Sequence, residues 1–215
     1  MHDPVIKINP CDPQPLLIQK AADIISGGGV ISFPTRCLYG LGADAFNIKA
    51  VERIFQIKKR PLEKPILILV KNQAQISRLV TDIPEPAERI MKKYWPGDVT
   101  LIFNAGSEVP EILTAGTGKI GIRMPSHKIA MALCNALSTP ITGTSANLSG
   151  EAGYAALSDF HPEIITQLDL VIDAGGLAGG VGSTVIDVTL NPPAVLREGA
   201  VPSKNILDFK KNISS

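Results

Sequence analysis

Apolar positions along the chain alternate between helical and strand spacing, and most segments end at a glycine or a proline. From Pro15, Leu17, Ala21, Ile24 and Ile25 fall on one face of a predicted helix, which Gly27-Gly28-Gly29 ends as a glycine C-cap. Val30 to Phe33 follows as a strand stopped by Pro34. A second helix is predicted from about Ile48, with Asn47 as N-cap, Val51, Ile54, Phe55 and Lys58 along one face, and Pro61 closing it. Ile66 to Val70 is almost continuously apolar, the pattern of a strand covered on both faces. Further on, the spacing predicts a helix over Glu85 to Tyr94, strands over Val99 to Phe103 and Ile120 to Met124, a helix capped by Ser126 and running to Leu137, and a strand over Pro140 to Thr144. Asp159 to Leu168 reads as helical. Leu170 to Asp173, Thr184 to Val188 and Ala194 to Arg197 read as extended. Strands interleaved with helices predict an α/β (mixed α+β) fold with helices packed on a sheet. The chain shows no internal repeat, low-complexity tract or long linker, so residues 1–215 are expected to form one domain.

Composition narrows the class. The 215 residues carry 21 Lys+Arg against 20 Asp+Glu, a formal charge of +1, and 45% of them are hydrophobic. That apolar content suffices to offset ordering entropy, so disorder is excluded. No apolar run approaches the roughly 20 residues of a membrane span, and Met1-His2-Asp3-Pro4 lacks the basic start of a signal peptide. Near-zero charge argues against a protein that coats nucleic acid, while leaving room for one basic pocket. Cys11, Cys37 and Cys134 form neither a disulfide framework nor a Cys-x-x-Cys pair, and His2, His127 and His161 have no ligand spacing. No metal site is predicted, and reduced cytoplasmic thiols are the expectation.

Four segments place polar or glycine residues at the ends of buried-looking strands, where ligand sites gather. In residues 32–46, Thr35 and Arg36 follow Pro34, and Tyr39-Gly40-Leu41-Gly42 is read as a tight apolar turn. In residues 56–65, Lys58, Lys59, Arg60 and Lys64 crowd a helix C-terminus beside two prolines, which suits a polyphosphate. In residues 142–150, Ser145 and Asn147 end a strand with hydroxyl and amide donors. In residues 175–187, five glycines free backbone N–H groups to face an anion, with Arg197 close behind in the sequence. Gly116-Thr117-Gly118-Lys119-Ile120-Gly121 spells a dinucleotide fingerprint but leads into a strand, so that reading fails. Paired carboxylates, a Ser-His-Asp set and an evident general base are missing. Cations and hydroxyls suit phosphoryl or nucleotidyl transfer, where positioning and charge neutralisation dominate.

Together these segments resemble the YrdC/Sua5 family, the L-threonylcarbamoyladenylate synthases. The resemblance is carried in order by Pro34-Thr35 through Gly42, Lys58-Lys59-Arg60-Pro61, Trp95-Pro96-Gly97-Asp98-Val99-Thr100, Arg123-Met124-Pro125, Ser145-Ala146-Asn147, Ser183-Thr184-Val185 and Leu196-Arg197-Glu198-Gly199, within about residues 15–202. It implies a YrdC-like twisted mixed sheet with flanking helices around a deep basic cavity. The implied reaction joins L-threonine, bicarbonate or CO₂ and ATP into threonylcarbamoyl-AMP and pyrophosphate. A separate tRNA threonylcarbamoyl transferase would use the product on adenosine 37 of ANN-decoding tRNAs.

The resemblance also implies roles. Lys58 and Arg60 would hold the ATP phosphates and act in catalysis, with Lys64 in support. Gly143, Ser145, Asn147 and Arg197 would lie by the nucleotide, and Lys119 would add a contact to it. Thr35, Cys37, Arg123 and Ser183 would form the threonine site, with Arg123 on the carboxylate. Mg²⁺ would arrive on the triphosphate. Two departures stand out: Cys37 replaces a family threonine, and Arg36 stands where the family has an acid. The chain's length suggests the short, single-domain form. The alternatives are a double-stranded RNA or tRNA module binding RNA weakly, and a paralogue without synthase activity. The neutral net charge and the lack of an aromatic platform oppose the first, and retention of Lys58, Arg60, Ser145 and Asn147 opposes the second.

Overall fold

Two mixed sheets face each other in the computed structural model, which describes residues 4–208; residues 1–3, with the start read for a signal peptide and His2, and residues 209–215 lie outside it. In chain order the strands are β1 Val5–Lys7, β2 Ile31–Pro34, β3 Tyr39–Gly42, β4 Ile68–Leu69, β5 Val99–Asn104, β6 Lys119–Arg123, β7 Ile141–Thr142, β8 Thr144–Ser145, β9 Leu170–Asp173, β10 Thr184–Asp187 and β11 Ala194–Arg197. The helices are α1 Pro15–Ser26, α2 Ile48–Lys58, α3 Gln73–Ile76, α4 Glu85–Tyr94, α5 Glu111–Thr114, α6 Lys128–Ala136, α7 Pro162–Ile165 and α8 Ser203–Leu207. The first sheet runs β1-β9-β2-β3-β8 and the second β11-β10-β5-β6-β4-β7. Parallel pairs (β1/β9, β2/β9, β5/β10, β4/β6) mix with antiparallel ones in both, so the mixed pairing that the resemblance implies is present, in two sheets rather than one.

Side-chain alternation divides each central strand between core and site. From β2 and β9, Ile31, Phe33, Leu170 and Ile172 pack under α1 and α6, against Ile18, Ala21, Ile25, Ile129 and Leu133. Leu41, Val171, Leu101, Phe103, Ile120 and Ile122 join Val51, Ile54 and Phe55 of α2 in the larger core. Each such fully buried side chain contributes about 1.5–3 kcal/mol. The opposite faces of β5 and β6 are left to line a cavity.

Local signals set the best-defined helices. Asn47 caps α2 by accepting from the Ala50 N–H, and α2 ends at Lys59 in the left-handed region (φ 49°), two residues before Pro61. Proline and acidic residues open α4 and lysines close it, complementing the helix dipole. Other segments differ from the pattern. In α1 the buried face is led by Ile18, with Leu17 and Ile24 only half-buried. Only Ile68–Leu69 of the 66–70 run pairs as a strand. His127, not Ser126, precedes α6, and Pro162 confines the 159–168 segment to a short turn and α7. Tyr39–Gly42 is no turn but a strand paired antiparallel with β2. The expected strand over Pro140 to Thr144 splits at Gly143, where the chain passes from the second sheet to the first. A Cβ at Gly143 would lie 2.6 Å from Leu67 Cδ1 and 2.9 Å from Leu69 Cγ, so a larger residue at this crossing would have to push both leucines aside.

Candidate active site

A cavity of about 350 Å³ lies between the two sheets. Thr35 and Cys37 of the β2–β3 turn, Gly40 and Ser145 come to it from the first sheet; Thr100, Gly121, Arg123 and Arg197 come from the second. Gly143, Ser183 and Gly182 lie at junctions, and Arg60 and Pro65 close one side from the loop after α2.

One end is built around two arginines and an aspartate. Arg123 is 9% exposed, and its Nε has no hydrogen-bond partner. Its Nη1 lies 3.6 Å from Asp98 Oδ1, while Arg36 Nη1 donates to Asp98 Oδ2 at 2.6 Å. Burial holds the Arg123 pKa below its ordinary value against the pull of Asp98; the hydrogen bond to Asp98 raises that of Arg36. Behind them, Thr100 Oγ1 and Ser183 Oγ are 2.7 Å apart. Arg197 donates from Nε and Nη2 to the Ser183 carbonyl at 3.1 and 2.7 Å, and burial lowers its pKa.

Backbone contact fixes that last arrangement. A Cβ on Gly199 would lie 2.4 Å from Gly182 O, Ser183 C and Thr184 N. None of these backbone atoms can move without shifting β10. Gly199→Ala is therefore expected to cost about 3 kcal/mol and to lower the thermal midpoint by about 6–12 °C, read by circular dichroism.

The other end rests on the 145–147 turn and the end of α2. Lys58 is 1% exposed, on the buried face of α2. Its Nζ donates to the carbonyls of Ser145 and, at 2.7 Å, Asn147, and to Asn147 Oδ1 at 3.3 Å. Ser145 Oγ also donates to Asn147 Oδ1, and Asn147 Nδ2 donates to the Leu148 and Glu151 carbonyls, each at 2.8 Å. Burial, aided by the Arg60 charge, pulls the Lys58 pKa down to about 7. Arg60 donates from Nε to the Lys64 carbonyl at 3.0 Å and from Nη2 to the Pro65 carbonyl at 2.7 Å, which holds the 60–65 loop as a stiff turn.

Of the residues singled out from sequence, Thr35, Cys37, Arg60, Arg123, Gly143, Ser145, Ser183 and Arg197 line this one cavity. Lys58 and Asn147 stand directly behind the wall. Lys58 thus presents no exposed ammonium to a phosphate. Lys64 is exposed outside the wall and contributes its carbonyl, not its charge. Lys119 pairs with Asp187 at 2.9 Å, outside the lining, where β6 starts. Of the five glycines of the 175–187 segment, only Gly182 reaches the cavity. Asp98 and Thr100 were not singled out, although both lie inside the Trp95–Thr100 motif. A lone acid among cationic site segments was the available signal. Among the described residues no group of three or more His, Cys, Asp or Glu is placed to hold a metal ion, and no helix is long and apolar enough to cross a membrane.

A family model, Sua5/YciO/YrdC, described as telomere recombination, matches residues 23–199, taking in every residue of this cavity. The chain belongs to the Sua5/YciO/YrdC family. Within that family it is 39% identical over 189 residues to a threonylcarbamoyl-AMP synthase of Pyrococcus abyssi (strain GE5 / Orsay), covering 88% of this chain and 56% of the relative. It is 36% identical over 202 residues to YciO of Escherichia coli (strain K12), covering 93% of this chain and 97% of the relative. The crystal structure of P. abyssi Sua5 complexed with L-threonine superposes with a TM-score of 0.90 at 35% identity, over 95% of this chain and 61% of that one. The chain spans little more than half the length of the synthase relatives from P. abyssi, Bacillus subtilis and Schizosaccharomyces pombe.

Proposed function

We propose that this Sua5/YciO/YrdC-family chain is a nucleotidyltransferase that makes L-threonylcarbamoyl-AMP and pyrophosphate from L-threonine, bicarbonate or CO₂ and ATP. The observation that carries the proposal is Arg123, a buried guanidinium in the cavity wall whose Nε lacks a partner. A substrate carboxylate supplies the missing acceptors in fork geometry. The Sua5 structure complexed with L-threonine supports the amino-acid reading, and the synthase relatives support the use of ATP.

The threonine amine attacks CO₂, or bicarbonate with loss of water, and becomes a carbamate as its protons pass to solvent. A carbamate oxygen then attacks the α-phosphorus, and the P–O bond to pyrophosphate breaks. No protein nucleophile is needed. Arg60 and the Ser145 hydroxyl meet the nucleotide phosphates, Arg197 approaches from β11, and Thr35, Cys37 and Ser183 flank the amino acid. Lys58 and Asn147 act as positioning residues for Ser145. Any Mg²⁺ travels on the triphosphate, because Asp98, the carboxylate of this lining, is held between Arg36 and Arg123. The product serves N6-threonylcarbamoyladenosine formation at position 37 of tRNA, through a separate transferase in the cytoplasm.

Incubation with ATP, bicarbonate and L-threonine is expected to release pyrophosphate and yield the adenylate by mass, with L-serine as the comparison that Cys37 calls for. Tight RNA binding without pyrophosphate points instead to an RNA module. Neither RNA binding nor pyrophosphate with any amino acid points to a paralogue without synthase activity.

A further inference from the structure

We infer that Asp98 is a specificity-determining residue of this cavity, accepting the α-ammonium of a free amino acid through Oδ1 while Arg123 takes the α-carboxylate. This rests on the proposal that an amino acid binds here, and adds what its amine meets.

The two oxygens of Asp98 have different duties. Oδ2 is engaged by Arg36 at 2.6 Å. Oδ1 accepts no hydrogen bond among the described residues, since Arg123 Nη1 stands 3.6 Å away, beyond hydrogen-bond range. Asp98 is only 7% exposed and lines the cavity. An oxygen of a mostly buried carboxylate, so placed, gains most from a charged donor. Beside it, Arg123 lacks a partner at Nε. Asp98 Oδ1 stands 3.6 Å from Arg123 Nη1, and the Nε of the same guanidinium is buried without a partner; an acceptor and a guanidinium side by side match the paired charges of a zwitterion. The hydroxyls of Thr100 and Ser183 bond to each other, and Ser183 Oγ also accepts from Arg197 Nη2 at 3.2 Å, which leaves Asp98 as the charged acceptor at this end. Arg36 restrains Asp98 from the turn and partly neutralises it, so Asp98 attracts the ammonium without repelling the neighbouring carboxylate strongly.

The test compares L-threonine with β-hydroxybutyrate, the same molecule without its amine, by calorimetric titration with a non-hydrolysable ATP analogue present. The intact protein is expected to bind L-threonine at least about tenfold more tightly, the worth of one hydrogen bond between charged groups. In Asp98→Asn that ratio is expected to fall to about one. A purely structural role for Asp98 would weaken both ligands alike and keep the ratio, which overturns the inference; so does a ratio near one in the intact protein. If Asp98→Asn does not fold, Arg36→Gln serves: with Asp98 released, the ratio is expected to rise about threefold, and an unchanged ratio overturns the inference. Failure of the intact protein to bind L-threonine at all overturns the amino-acid reading itself, a distinct result from binding without amine discrimination.

Discussion

Arg123→Leu is expected to lower threonine-dependent pyrophosphate release by about a hundredfold to a thousandfold while leaving nucleotide binding in place. The guanidinium stands on β6, whose pairing with β4 and β5 holds its backbone in the middle of the second sheet. It is buried, its Nε is unpartnered, and its one ion pair is a 3.6 Å approach to Asp98. Such a group has been desolvated without full compensation, which on the proposed function a substrate carboxylate would supply. Leucine keeps much of the bulk and removes the fork, and truncating one partner of a buried charge pair between bound molecules costs about 2–5 kcal/mol. Arg123→Lys retains a charge but not the planar pair of donors, so its activity is expected to lie between the two. Pyrophosphate assays at saturating ATP, with circular dichroism as a check on folding, decide this. Activity near the parent's in Arg123→Leu removes the carboxylate assignment.

Lys58→Met is expected to damage stability and activity together. Methionine fills the volume but leaves the Ser145 and Asn147 carbonyls and Asn147 Oδ1 without their shared donor. Stranding buried acceptors costs about 3 kcal/mol or more, a fall of about 6–12 °C in thermal midpoint for a chain of this size. Ser145 loses its support, so turnover falls as well. The same residue gives a pH signature. Folding lowers the Lys58 pKa from 10.5 to about 7 through burial. Between those values the unfolded chain binds a proton at this site that the folded chain releases, so stability rises with pH across the window and levels off above it. Below pH about 7 both states are protonated and the burial cost is fully present. Urea denaturation at the two ends of the window is expected to show this rise in the parent and its loss in Lys58→Met. A rise of equal size in the variant would assign the effect to another group.

Much of the candidate site could be named before any coordinates because its residues sit in short motifs whose local chemistry is visible. Thr35, Arg60, Arg123, Ser145, Ser183 and Arg197 were all named from such motifs, and all line one cavity. What the motifs could not show is which polar atoms remain open once the chain has folded. Lys58 was read as a phosphate ligand from its charge and spacing, yet the neighbouring 145–147 turn closes over it. Lys119 was added on charge alone and is taken by Asp187 on an adjacent part of the sheet. Asp98 went unnoticed because its meaning depends on Arg36, far away in sequence.

The apolar pattern was by itself enough to determine α2 and α4, whose caps and prolines act within a turn of the residues they govern, and to place β5, β6, β9, β10 and β11 nearly to the residue. These are short-range effects, and a linear chain displays them. Only the tertiary structure decided that the 140–144 segment breaks at Gly143, that Tyr39–Gly42 pairs as a strand, and that two sheets leave between them a cavity into which three arginines and an aspartate reach. The reason is that strand pairing, close backbone approach and charge pairing depend on partners brought from distant parts of the chain. The nearly neutral composition concealed a basic pocket for the same cause: folding gathers Arg60, Arg123 and Arg197 at one cavity and leaves most of the acids elsewhere.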